Sequence, residues 1–99
     1  MAPARDAREN ARIDYLIHHL ETLQGSVFIR NGSEHSPEEA GKHLRMKLEK
    51  AGGRVKTAEE FIENCAARSY LSGKPYKIRL PDGVIKDAGP FLLGILRKR

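Results

Sequence analysis

The chain has 99 residues, 39% hydrophobic and 31% charged, with a formal charge of +5 and one cysteine. That length suits a single small domain, 1–99, with its ordered part at about 5–97 and a net stability of roughly 5–10 kcal/mol. A lone Cys65 excludes an internal disulfide and a thiolate metal cluster, and no apolar run reaches the ~20 residues that would span a bilayer.

The first helix is predicted from about Arg5 to Leu23. Ile13, Leu16, Ile17, Leu20 and Leu23 form one apolar stripe at helical spacing, and Gly25 ends the segment. Ser26-Val27-Phe28-Ile29 then reads as a short strand, followed by a polar loop. Helix two opens at Ser36-Pro37-Glu38-Glu39: serine as N-cap, proline at N1, and Glu39 placed to close a capping box. Its stripe is Ala40, Leu44, Leu48 and Ala51, and Gly52-Gly53 terminate it. Thr57-Ala58-Glu59-Glu60 repeats the capping device for helix three. Ala58, Phe61, Ile62, Cys65, Ala66 and Ser69 share that helix's inner face, with Gly73 and Pro75 as its stop.

Tyr76-Lys77-Ile78-Arg79-Leu80 alternates with period two, the mark of a half-buried strand. Pro81-Asp82-Gly83 is a turn, and Val84-Ile85-Lys86 returns as its hairpin partner. A short fourth helix starts after Asp87 or Gly89, has Pro90 in its first turn and runs from Phe91 to Leu96. The tail Arg97-Lys98-Arg99 complements its C-terminal end. The order is α-β-α-α-β-β-α without repeats. About four helices on a two- or three-stranded antiparallel sheet, an α+β fold, is the expected solution.

The stretch from Phe28 to Ala40 is the first place to look for function. It sets Arg30, Asn31, Glu34 and His35 in a loop between two well-specified elements. Asn31-Gly32 supplies the positive φ of a turn or hairpin-like reversal. Arg30 suits a carboxylate or phosphate, an ion pair with Glu34, or an anchor on the loop backbone. His35 and His43 lack the i, i+4 spacing of a helical metal pair, so a site would need Glu34 or Glu39 as well. The simpler expectation is a loop hydrogen bond for His35 and a place at the stripe's edge for His43. Ser72-Gly73-Lys74-Pro75 lacks the glycine spacing of a phosphate loop. No cofactor and no metal is expected.

Two blocks of residues carry a resemblance. Phe28-x-Arg30-Asn31-Gly32 with His35, Ala40, His43-Leu44 and Lys47-Leu48 is one. Thr57-Ala58-Glu59-x-Phe61-Ile62 with Ser69, Ser72-Gly73-Lys74-Pro75-Tyr76 and the ending Pro90-Phe91-Leu92 is the other. Together they span about residues 12 to 96, and they resemble the YfeK-like family of small bacterial proteins, a domain of unknown function. The resemblance implies export to the periplasm and supplies no activity. No signal peptide is visible here, since Met1-Ala2-Pro3-Ala4-Arg5-Asp6 leads into a charged helix. A mature form behind a new start methionine fits that, and so does a cytoplasmic member.

The leading expectation is a monomeric, non-enzymatic domain that binds an unknown ligand or protein partner through the Arg30–His35 loop. His43 and the Ser69–Tyr76 connection would line the same end. A hydrolase pairing Ser69 with His35 or His43 is an alternative, although no nucleophile elbow surrounds Ser69. A third reading uses the basic run Lys42, Arg45, Lys47, Lys50, Arg54 and Lys56, opposed only by Glu49, on an anionic surface or nucleic acid. The absence of interleaved aromatics argues against nucleic acid.

Overall fold

A computed structural model of the chain describes residues 5–69 and 72–98. Helix α1 (Ala7–Glu21) starts at Asp6, whose carboxylate accepts from the Glu9 N–H at 2.9 Å. Ile13, Leu16, Ile17 and Leu20 of its stripe are wholly buried, so the helical spacing read in the sequence is the packing face.

Strands β1 (Val27–Arg30) and β2 (Ser33–His35) form a hairpin in which Arg30 pairs with Ser33 and Phe28 with His35. The two residues between them, Asn31 and Gly32, have φ of 51° and 82°. Two successive positive φ values match the right-handed strand twist, which is why an Asn-Gly pair closes a two-residue hairpin. The predicted polar loop is therefore partly a strand. Ser33-Glu34-His35 has no apolar alternation to announce it, and the turn and backbone pairing alone specify it.

Helix α2 (Pro37–Ala51) has the expected capping box: Ser36 Oγ accepts from Glu39 N at 3.2 Å, and Glu39 Oε1 accepts from Ser36 N at 3.0 Å. It packs closely against α1 at Gly41, where an added Cβ would fall on the Glu21 side chain. A 3-10 turn, Gly52–Arg54, follows it.

Helix α3 (Ala58–Phe61) is capped by Thr57 and Glu60 as predicted, then widens into one π-helical turn, Ile62–Ala66. The helix expected to reach Ser69 and beyond stops there. Ala67 O accepts from Tyr76 N, Ser69 N donates to Lys74 O, and Ser69 O accepts from Gly73 N, all at 2.9 Å. This reversal, with Arg68 bridged to Pro75, gives the backbone partners that compete with further helix. Ser69 thus sits in a buried loop and not on a helix face.

Strands β3 (Lys77–Arg79) and β4 (Ile85–Asp87) form the expected hairpin, and α4 (Ala88–Lys98) follows directly. Arg99 of the predicted basic tail lies outside the described residues. The fold is α+β, and its sheet has four antiparallel strands, β2-β1-β3-β4, where two or three were expected. Phe28 and Ile78, paired across β1 and β3, add the sheet's inner face to a core built on Ile13, Leu16, Phe61 and Leu92.

Candidate functional site

Side chains alternate across a strand, so the hairpin register decides which loop residues meet. Glu34 pairs with Ile29, while Arg30 pairs with Ser33, so Glu34 and Arg30 project from opposite faces. The Arg30–Glu34 ion pair, one of the three roles open to Arg30 in the sequence, does not form for that reason. On the outer face Glu34 accepts from both Nη atoms of Arg79, at 3.1 and 3.3 Å. On the helix-covered face Arg30 lies against α2.

There Arg30 Nη1 sits 2.6 Å from His43 Nδ1 and 2.7 Å from Nε2. A guanidinium can only donate, so it needs the neutral imidazole. Burial, then the positive charges of Arg30, Lys47, His35 and Lys50, pushes the His43 pKa down from 6.5 to about 4. The Tyr76 ring stands edge-on to His43, with centroids 6.3 Å apart. Its hydroxyl accepts from Lys47 Nζ at 3.1 Å.

Because the folded pKa of His43 lies below the unfolded value of 6.5, the unfolded chain takes up the proton first as pH falls. Stability contributed by the neutral ring is complete above about pH 6.5 and is lost on the way down to about pH 4. The ring is only half-buried, so solvent screening reduces the loss to about 1–2 kcal/mol. In urea titrations across this range, His43→Gln is expected to remove that part of the pH dependence, because the amide oxygen still accepts from Arg30 without titrating.

Asn31 joins the hairpin tip to the buried reversal. Its Nδ2 donates to Ser69 Oγ at 3.3 Å, and its Oδ1 accepts from Ser72 Oγ at 2.8 Å. Ser69 Oγ also accepts from Ser72 N at 3.3 Å. Among the described residues no hydrogen bond links Ser69 to His35 or His43, and the Ser69 hydroxyl is engaged with Asn31 and Ser72 instead. His35 lies on the inner face beside Phe28. Instead of the expected loop hydrogen bond, its Nε2 is buried without a partner among the described residues. Glu39 is committed to the α2 cap, and the Ser36 N–H holds its carboxyl below the usual range. No three His, Cys, Asp or Glu side chains among the described residues converge as a metal site requires.

Two hollows adjoin this cluster. The first, about 480 Å³, has Leu20, Phe28, Leu44 and Leu92 in its wall and His35 beside them. The second, about 920 Å³, is lined by Arg30, Lys47, Lys50 and Arg54 with Asn31 and Ser69, and no carboxylate among the described residues lines it. Arg30, His43, Met46 and Tyr76 belong to both walls.

The basic run is thus divided. Lys47, Lys50 and Arg54 join the Arg30 site, while Arg45 turns to Asp14 and Glu21 of α1, at 3.4 and 3.2 Å. The loop and the basic run, separate candidates in the sequence, meet at this junction. The signal was present: His43, Lys47 and Lys50 fall at i, i+4 and i+7, one face of a helix.

The model of a family of unknown function, DUF5329, matches residues 7–99. The chain is also 44% identical over 71 residues to the uncharacterized protein YfeK of Salmonella typhimurium, an alignment covering 72% of this chain. The chain spans 59% of that relative's length. No solved structure matches it. With nearly its whole length matched, from the start of α1 through α4, the chain belongs to the bacterial YfeK-like family of unknown function, DUF5329.

Proposed function

We propose that this chain is a small non-catalytic binding domain of a periplasmic protein, and that its site takes an anionic ligand. One observation carries the reading: the larger hollow gathers Arg30, Lys47, Lys50 and Arg54 around hydrogen-bonding Asn31 and Ser69, with no acid among the described residues of its lining. Arg54 donates to the Ala51 and Lys50 carbonyls and Lys47 to the Tyr76 hydroxyl, but none of the four has a carboxylate partner among the described residues. Cations sharing a concave wall in this way raise the local concentration of anions and hold them by charge-assisted hydrogen bonds. Neutral His43 keeps Arg30 in place without spending a carboxylate on it, so the guanidinium's charge stays available. Periplasmic placement follows from the resemblance and forms part of the proposal. Nucleic acid is disfavoured, because Tyr76 is buried edge-on to His43 and presents no face for stacking.

Calorimetric titration with phosphate and pyrophosphate at low ionic strength tests the reading. Saturable binding is expected, weakening as salt rises. The double variant Lys50→Ala, Arg54→Ala is expected to lose about tenfold in affinity, since each charge contributes up to ~1 kcal/mol. Undetectable binding by the parent, or equal affinity in the variant, would overturn it.

A further inference from the structure

The anionic-ligand reading leaves the smaller hollow unused, although the two share four wall residues. The smaller one differs in kind. Its floor is apolar, with Leu20, Phe28, Leu44 and Leu92, and its volume of about 480 Å³ lies in the range of small-molecule sites, roughly 300–1,000 Å³. Of its polar members, Arg30, His43 and Tyr76 also line the cation-lined cleft, while His35, Glu39 and Lys42 line the smaller hollow alone. Met46 is also common to both and is 46% exposed, although apolar side chains of its size more often turn inward. A flexible thioether adapts readily to an apolar ligand.

We infer that the ligand is a single-chain anionic amphiphile. Its charged head lies among Arg30, Lys47, Lys50 and Arg54, and its hydrocarbon chain crosses the rim at Met46 into the apolar hollow. This rests on the anionic-ligand reading and adds the chain. The chemistry follows from the juxtaposition of the two hollows: a purely ionic ligand would leave the apolar one empty, and a purely apolar ligand would leave the cations unanswered. The size of the smaller hollow suits one chain and favours a free amphiphile over a bilayer surface.

Calorimetry with inorganic phosphate, methyl phosphate, octyl phosphate below its micelle concentration, and octanol tests the inference. A buried methylene raises affinity about fourfold. Octyl phosphate is therefore expected to bind at least ~30-fold more tightly than methyl phosphate, even with its chain only half buried. Octanol should bind far more weakly. The methyl NMR signals of Leu44 and Leu92 should shift with octyl phosphate and stay in place with methyl phosphate. Equal affinity along the series would overturn the amphiphile and leave the anion site standing. Absence of binding by every phosphate would overturn both. Octanol binding as tightly as octyl phosphate would overturn the amphiphile by removing the role of the head. Co-sedimentation with anionic phospholipid vesicles, without binding of free octyl phosphate, would assign a membrane surface instead.

Discussion

Phe61→Ala is expected to lower the stability of the molecule by about 3–5 kcal/mol, most of the ~5–10 kcal/mol available to a domain of this size. The ring is wholly buried, at the point where α3 passes into the π-helical turn. It belongs to the same core as Ile13, Leu16 and Ile17 of α1, Ile78 of β3 and Leu92 of α4. Truncation removes the transfer free energy of the ring and leaves a cavity bounded by elements that hold one another in place, so the site cannot collapse. Urea unfolding should show a much lower midpoint with an unchanged slope. Cys65→Ala one turn on removes a single sulfur and should cost far less. A loss below about 1 kcal/mol at Phe61 would mean that the core relaxes into the space.

How much of this was legible depends on the range over which each feature is specified. The caps at Ser36 and Thr57 are four-residue devices, and both are formed as the sequence implies. The α1 stripe and the β3–β4 hairpin are likewise local patterns with one strong period. Strand β2 was not visible, because three exposed or half-buried polar residues carry no period-two signal. The end of α3 was hidden for a different reason: the backbone partners that end it are supplied by residues 73–76, brought back by the reversal. The Arg30–His43 contact is tertiary. It follows from hairpin register, which puts Arg30 on the helix-covered face and Glu34 on the other, and one residue of slip would exchange them. The candidate residues were therefore found singly, and their grouping with Lys47, Lys50 and Arg54 required the fold.

Asn31 is the position where turn and site are coupled, and its variants separate the two. Asn31→Val is expected to cost about 2–4 kcal/mol. A β-branched residue is strained at φ of 51°, by about 1–3 kcal/mol, and the bonds to Ser69 and Ser72 are lost as well. Asn31→Gly keeps the backbone conformation at no steric cost and removes only the side-chain bonds, so about 1–2 kcal/mol should be lost. The difference between the two variants measures the turn, and the loss in the glycine variant measures the latch. If the two lose the same amount, backbone strain contributes nothing. If the glycine variant matches the parent, the latch contributes nothing. The latch also bears on the cleft, because Asn31 and Ser69 both line it and Arg30 is the neighbouring residue. Releasing the tip from the reversal leaves all four cations present and the Arg30–His43 contact intact, while the two walls lose their fixed separation. Anion affinity in the glycine variant should therefore fall by more than its stability alone requires, measured where the variant is still fully folded. Restoring the cations' charge by lowering salt should not recover it, since the loss is of positioning and not of potential.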